Sequence, residues 1–576
     1  MKKVNQADSI KVLWLLITSI AMFSCTDSTT QKSDTVPVIQ NKVTTGWTLF
    51  TPSDDSRIMY VSNDGDDSTA KVYGSTDFAN PFEPGVVYAY ATYQAAYLQS
   101  RDGYPDWILL QSGDTFIINM SMRSGRSTKE YALIGSYGFT GSMPLVHPLV
   151  KTSPALTIPG ATSFSAVSGI DFYAVSRNPA ISGYSIDGYT GFSGVTGRTI
   201  SDILIEGCRF RFFAGNQIQS YNEGVTKNII IRRTVISDNY SNGDGHSQGL
   251  YAGFVNGILL EENIFDHNGW YAKSPETPGT ATMFNHNTYF EDCHNVVFLN
   301  NIFSRGSSMG NKFTANTGVA SSTNITIKNN FYLDGEIGVG IGGNVELAYR
   351  FNTITVEGNV FTEIGRSRPT NRTLGWALDA VGWDNGSITG NYFLNFSNPD
   401  VTNIYGIRLE GGVGNVQINN NIINNLNPHG KSNRGYAMLL AATQTVQSSV
   451  ITISGNQFLE PMNELVLIKI DNENDFSAIT FLNNKYFSSN ENSAFQVVDS
   501  MKNTASWSSL AGDNSTFSQT DFPDSSRNVE TYMQSIGATS TIDGFIEGCR
   551  NQTRYNWDSN YTAQSINYWI KSGFSK

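Results

Sequence analysis

The chain has 576 residues, with 38 Lys and Arg against 50 Asp and Glu, a formal net charge of −12 and only 15% charged residues. Its 39% hydrophobic content is enough for a large core and excludes a mostly disordered chain. An acidic chain without a basic block is equally unsuited to tracking a nucleic-acid backbone. The 53 glycines and a surplus of asparagine point to many tight turns, and so to a β-rich protein.

In chain order, Lys2 and Lys3 precede the apolar run from Val12 to Phe23, and Ser24-Cys25 follows at once. A charged start and about a dozen apolar residues, too few for a stable membrane span, read as an export signal over 1–24. Met22-Phe23-Ser24-Cys25 resembles a bacterial lipobox, which implies lipidation of Cys25 and a polar tether over 25–45. An ordinary cleaved signal is the alternative. The expected location is the outer membrane or cell surface, or else the periplasm or medium, with membrane contact through the lipid alone. Beyond Cys25 the cysteines are Cys208, Cys293 and Cys549, an odd number without close partners, which reads as small buried residues.

Residues 88–98 have helical spacing and precede Asp106-Trp107-Ile108-Leu109-Leu110, which reads as a capping helix ahead of a first coil. From there a repeat of roughly 30 residues dominates. A usually polar residue, any residue and a large apolar one recur as Ile170…Phe172, Cys208…Phe210, Thr234…Ile236, Asn263…Phe265, Asn301…Phe303, Asn330…Tyr332, Asn359…Phe361, Asn391…Phe393, Asn421…Ile423, Asn456…Phe458 and Asn484…Tyr486. Two short strands are expected per coil: one just before the ladder, such as Ile258-Leu259-Leu260, and an earlier one, such as Gly249-Leu250-Tyr251. Asparagines in line on successive coils can bridge to the next coil's backbone and tolerate left-handed turns, so they read as structural. Amphipathic patterns over 528–537 and 558–573 predict helices that cover the last coils. The fold class is therefore all-β: a right-handed parallel β-helix over 46–487 with an N-terminal capping helix, and a C-terminal helical cap over 488–576.

The stretch Tyr60-Val61-Ser62-Asn63-Asp64-Gly65-Asp66-Asp67, then Leu109-Leu110-Gln111-Ser112-Gly113-Asp114-Thr115, then Ser124-Gly125-Arg126-Ser127, resembles the opening of secreted bacterial right-handed β-helix proteins of the pectate-lyase-like superfamily. The resemblance extends in architecture over about residues 57–487. It implies a polysaccharide partner lying along one outer strand face and, in most members, cleavage or epimerisation of an acidic glycan. Tailspikes, hydrolases and non-catalytic members share the fold, so the reaction must be read from the site.

Reactive side chains crowd residues 238–316, which hold His246, His267, His286 and His294 of the chain's six histidines. Tyr251 and Tyr289 stand at equal distances before their ladder asparagines, and so do Gln248 and His286, so each pair should stack on adjacent coils. Asp379 falls in the same register. β-Elimination on a uronate polymer needs a neutralised carboxylate, a base for the C5 proton and an acid for the leaving O4. His246 or His286 suits the base and Tyr251 or Tyr289 the acid. Lys312, Asn285, Gln248 or Arg305 would hold the carboxylate, with His267, Trp270, Tyr271, Asp379 and Arg408 as further substrate contacts. A glycoside hydrolase would instead need two carboxyl groups, drawn from Asp244, Glu261, Glu262, Asp266, Glu291 and Asp379. A non-catalytic glycan-binding solenoid would need only aromatic platforms such as Trp270, Tyr271, Trp376 and Trp383. No cofactor is implied outright. Asp64-Gly65-Asp66-Asp67 reads as a turn lacking the rest of a Ca²⁺ loop, while Asp238 and Asp244 beside His246 leave a Ca²⁺ ion open. A monomer is expected.

Overall fold

The computed structural model describes residues 46–574, apart from 242–244, 272–280, 316–321, 343–349, 430–433, 442–449 and 463–464. The export signal, the tether and Cys25 lie outside the described residues, as does Asp244. Each coil contributes a strand to three sheets rather than two. In one coil these strands are Val255–Glu261, Ile264–Asp266 and, on the following pass, His286–Glu291. The middle strand is the ladder segment itself, only three residues long, and alternation over so short a run does not announce a strand. Stacked coil on coil, they form sheets of 15, 14 and 14 strands, paired in parallel except at the ends. The described residues thus form a parallel β-helix. At each end an antiparallel partner closes the edge: Val72–Tyr73 on Ile58–Val61, and Ser500–Lys502 on Phe495–Val497.

The ladder asparagines are buried between the first and second sheets, and their amides run continuously along the axis. The Asn330 backbone N–H donates to Asn359 Oδ1 at 2.8 Å, while Asn330 Nδ2 donates to Phe298 O at 3.0 Å. The same pattern begins at Thr234, whose N–H donates to Asn263 Oδ1 at 3.0 Å. It ends where Asn484 donates to Ser515 Oγ at 2.8 Å. The residue before each ladder Asn has positive φ, as at Asn300, Asn329, Gly358, Gly390, Asn420, Gly455 and Asn483. This left-handed position accounts for part of the Gly and Asn surplus. Two residues beyond each ladder position the apolar side chain points inward and stacks on its neighbour: Tyr332 and Phe361 rings lie 4.5 Å apart, Phe361 and Phe393 4.9 Å. Cys208, Cys293 and Cys549 are buried free thiols.

Helix α1 (Tyr93–Gln99), N-capped by Thr92, buries Tyr93 and Ala96 against the first coils. Helix α2 (Thr504–Ala511) closes the far end, with the Trp507 ring stacked 4.4 Å from Phe495. Helices α3 (Val529–Ser535), α4 (Ile542–Arg550) and α5 (Ala563–Phe574) do not cover the last coils. They lie along the outer face of the second sheet, where Val235, Ile264, Ile302, Phe331, Val360, Leu394 and Ile422 meet Tyr532, Phe545, Ile546, Ile566 and Phe574. The physical reason is visible in the ladder strands, which carry apolar residues on both faces and need a cover outside as well as a core inside.

Candidate active site

Third-sheet strands alternate inward and outward residues, so one outward row runs the length of the solenoid. Its members pair as Ser193, Gln217, Tyr251, Tyr289, Lys312, Gly340, Asp379, Arg408, Leu439 and Lys469. Tyr251 thus faces Tyr289, and Gln248 faces His286, in the register that the ladder spacing predicts.

Over the early part of this row lies a cleft of about 480 Å³, lined by Gln217, Gln219, His246, Gln248, Tyr251, Tyr289 and Glu291, among others. His246 is exposed at its margin, its ring 5.5 Å from Phe284. The Tyr251 hydroxyl donates to Glu291 Oε2 at 2.6 Å, and burial together with that carboxylate pushes its pKa up. The Tyr289 ring stands edge-on to Tyr251 at 5.6 Å; its phenol oxygen accepts from Thr314 Oγ1 at 3.2 Å, which leaves its own proton free. Burial raises the Tyr289 pKa. Lys312 Nζ sits 5.3 Å from the Tyr289 ring centroid, and burial draws its pKa down. Among the described residues Lys312 forms no ion pair, whereas Arg408 and Lys469 on the same row are each salt-bridged.

His286 lies beneath the cleft and is fully buried. Its Nδ1 accepts from the Met309 N–H at 3.3 Å and its Nε2 has no hydrogen-bond partner. Desolvation, with Lys312, Arg372 and His246 nearby, holds its pKa well below the usual value, so the imidazole is neutral and backs the Tyr289 ring at 5.7 Å. Gln248 is committed to the backbone: its Oε1 accepts from the His286 N–H at 2.7 Å and its Nε2 donates to Phe284 O at 2.9 Å. Asn285 is likewise turned inward, accepting from the Ser247 N–H and donating to Gly269 O, both at 2.8 Å.

His267, Trp270 and Arg305 gather elsewhere, at the turn leading out of the second sheet. His267 Nδ1 is 2.9 Å from Asp238, and Trp270 Nε1 donates to Arg305 O at 2.7 Å. Arg305 forms a two-pronged pair with Asp266, which Arg550 of α4 also engages. These residues surround Asp238 and Asp266, the two carboxylates that Arg550 of α4 engages, and do not line the cleft. Tyr271 packs beside Tyr240, 5.9 Å between rings. Asp379 and Arg408 occupy the outward row further along, 3.5 Å apart.

The carboxylates divide the same way. Glu261 is buried beside Arg232, Glu262 pairs with Arg233, and Asp266 is held by two arginines. Of the hydrolase candidates that the structure describes, Glu291 and Asp379 face the third sheet. They are three strand spacings apart, about 14 Å, against the roughly 5–9.5 Å that paired carboxyl groups need. Among the described residues no group of three His, Cys, Asp or Glu side chains converges on a metal position. Asp238, the Ca²⁺ candidate, lies instead under Arg550 and His267, Asp66 accepts from Ser68 within its turn, and Asp67 accepts from Thr92, the N-cap of α1.

No family model and no curated protein matches the sequence. Solved structures are similar in fold alone. The A-module of mannuronan C-5 epimerase AlgE6 from Azotobacter vinelandii is 11% identical over 72% of this chain and 91% of its own, with a TM-score of 0.38. The N-terminal fragment of gene product 12 of bacteriophage Phi29 is 12% identical over 71% and 70%, with a TM-score of 0.46. Pectate lyase Pel9A is 12% identical over 83% and 86%, with a TM-score of 0.31. At this distance the functional reading rests on the chain's own residues.

Several of those escaped the sequence reading. Glu291, two positions after Tyr289 and hence on the same face, was visible as a carboxyl group for a hydrolase but not as the partner of Tyr251. Gln217 and Gln219 would have emerged from carrying the Tyr251 register one coil back. Arg372, near His286 and bound to Glu336 and Ser308, comes from a loop whose path no periodicity specifies.

Proposed function

We propose that this chain degrades a uronate-containing polysaccharide by β-elimination in the third-sheet cleft. Lys312 carries the reading: a half-buried cation against a phenol ring, with burial drawing its pKa down and no carboxylate partner among the described residues. Such a cation is stabilised by an incoming anion, and the uronate carboxylate supplies one. With that carboxylate neutralised, the C5 proton passes to a base, the C4=C5 double bond forms, the C4–O4 bond breaks, and O4 takes up a proton. His246 at the cleft margin is the base. Tyr289 is the acid, because Thr314 occupies a lone pair of its oxygen and leaves the proton to donate, whereas the Tyr251 proton is bound to Glu291. Neutral His286 positions the Tyr289 ring.

The test is to incubate the purified chain with alginate, pectate, chondroitin sulfate and ulvan, following unsaturated-uronate absorbance and new reducing ends together. Both should rise on one polymer. Tyr289→Phe and His246→Ala should each lower the rate on the order of 10²–10⁴-fold, Tyr251→Phe less. Reducing ends without ultraviolet absorbance would replace the reading with hydrolysis. Silence on every polymer, with glycan binding kept, would leave a binding solenoid.

The same reading has the chain exported and held at a membrane by lipid on Cys25. Cys25→Ala should release it from the membrane fraction, and continued lipid labelling of that variant would refute the anchor.

A further inference from the structure

The outward row of the third sheet is electrically uneven along the axis. Beside the cleft, one strand past Tyr289, Lys312 is a cation without an ion pair among the described residues. Two strand spacings on, about 10 Å away, the balance reverses. Arg408 reaches both Asp379, at 3.5 Å, and Glu410, so one cation serves two carboxylates. The next cation on the row, Lys469, is 2.9 Å from Asp471. No free positive charge faces a ligand here among the described row residues, and the excess is negative.

The same patch has the chemistry of a sugar platform. Arg408 lies over the Trp376 ring at 5.1 Å, Trp376 and Tyr405 meet edge-on at 5.2 Å, and the Tyr405 and Tyr436 rings stack at 5.8 Å. Two buried atoms in it lack hydrogen-bond partners: Asp379 Oδ1, despite its proximity to Arg408, and Trp376 Nε1. A spare acceptor and a spare donor beside aromatic faces match a ring that presents hydroxyl groups. A carboxylate placed there would meet two others and find its cation already engaged, an arrangement that selects by repulsion as well as by fit.

We infer that the substrate is a mixed polymer, in which the uronate held at Lys312 is joined to uncharged, hydroxyl-rich sugar units that lie on the Trp376–Asp379–Arg408 patch, and that chains of consecutive uronates are rejected at this patch. The inference rests on the uronate reading of the cleft for its first half only; the rejection follows from the patch itself.

Binding separates the two. Full-length Tyr289→Phe protein would be run in affinity gels and calorimetry against polygalacturonate and alginate as homopolymers, and against ulvan and rhamnogalacturonan as mixed polymers. A mixed polymer should be retained and the homopolymers should not. Glu410→Gln should gain on the order of 10-fold in homopolymer affinity with little change for the mixed polymer, and Asp379→Asn/Glu410→Gln should shift the ratio of homopolymer to mixed-polymer affinity at least as far. Homopolymers bound as tightly as mixed ones, with a ratio that the double variant leaves unchanged, would overturn the inference, as would failure of every polymer to bind. If the ratio shifts as expected but Lys312→Ala does not weaken mixed-polymer binding, the uronate reading of the cleft falls and the patch's selectivity stands. Reducing ends that form without ultraviolet absorbance and vanish in Glu410→Gln would make Asp379 and Glu410 a hydrolytic pair and overturn the patch's role as a passive platform.

Discussion

A buried asparagine in this fold does what no other side chain of its size can do: it accepts from one coil and donates to another at the same time. Asn359 Oδ1 takes the Asn330 N–H of the preceding coil, while its Nδ2 donates to Ile327 O of that coil and to Asn391 Oδ1 of the next, both at 2.9 Å. Asp would lack the donor and bury a charge, and Ala would orphan both backbone groups. Asn359→Ala should therefore cost about 1–3 kcal/mol for each group left unpaired, read as a lower urea midpoint. Because each coil contacts only its neighbours and the helices over the second sheet, hydrogen-exchange protection should fall around residues 327–361 and in α5, which bonds to Asn329 and Asn330, and hold at the ends of the solenoid. A midpoint equal to wild type would show that water replaces the amide. At this scale the sequence was informative for the ladder and misread for His286. The ladder repeats, so its spacing is written many times over. His286 shares a register with Gln248, but it lies an odd number of residues before the outward Tyr289, so strand alternation already sets it off that row, and it is fully buried.

The C-terminal helices show the same limit one level up. Their amphipathic pattern was legible, with Asn528 as N-cap and Val529, Tyr532 and Met533 on one buried face. Helix α4, cut into short apolar steps by Gly544 and Gly548, was not. Nor was the docking surface: a helix's pattern tells that a face exists, not what meets it. The clue lay in the strands, where Ile264 and Phe265 are adjacent and both buried. Arg550 fixes the docking, its guanidinium between Asp238 and Asp266. Arginine pulls the Asp238 pKa down to about 2 despite burial, which by itself acts to raise it, and pulls Asp266 lower still. Removing the shared cation leaves two buried carboxylates short of a partner, so Arg550→Ala should destabilise the protein by about 3–5 kcal/mol and raise proteolytic nicking between 522 and 574. A variant as stable as wild type, with the helices still protected, would show that apolar contact alone holds them.

Across the whole molecule, the architecture was legible because one unit repeats, whereas the outward row and its surroundings were legible only where register alone decides them: Tyr251, Tyr289 and Asp379, but not the loop-borne Arg372. The repeat also concentrates buried carboxyl groups, and these set a pH dependence. Burial raises Glu460 to about 8, Glu363 to about 7 and Asp379 to about 6. Each binds a proton more tightly folded than unfolded, so the stability it contributes is complete below its unfolded value near 4 and is lost as pH rises through the folded value. Asp238 and Asp266 act oppositely, their contribution present above about 4 and lost as pH falls towards 2. Stability should therefore peak on the acid side of neutrality, near pH 4–5, and decline towards pH 8.5. Glu460 offers the cleanest test, since it is nearly fully buried, accepts the Leu426 N–H at 2.9 Å through Oε2 and leaves Oε1 without a partner. Glu460→Gln keeps the acceptor and removes the charge. Thermal melts from pH 4.5 to 8.5 should show the variant close to wild type at the acid end and more stable by a few kcal/mol at the alkaline end, at about 1.4 kcal/mol per pKa unit. Parallel curves would mean that Glu460 is ionised in the fold at every pH tested, with a cation or water beside it that its surroundings do not suggest.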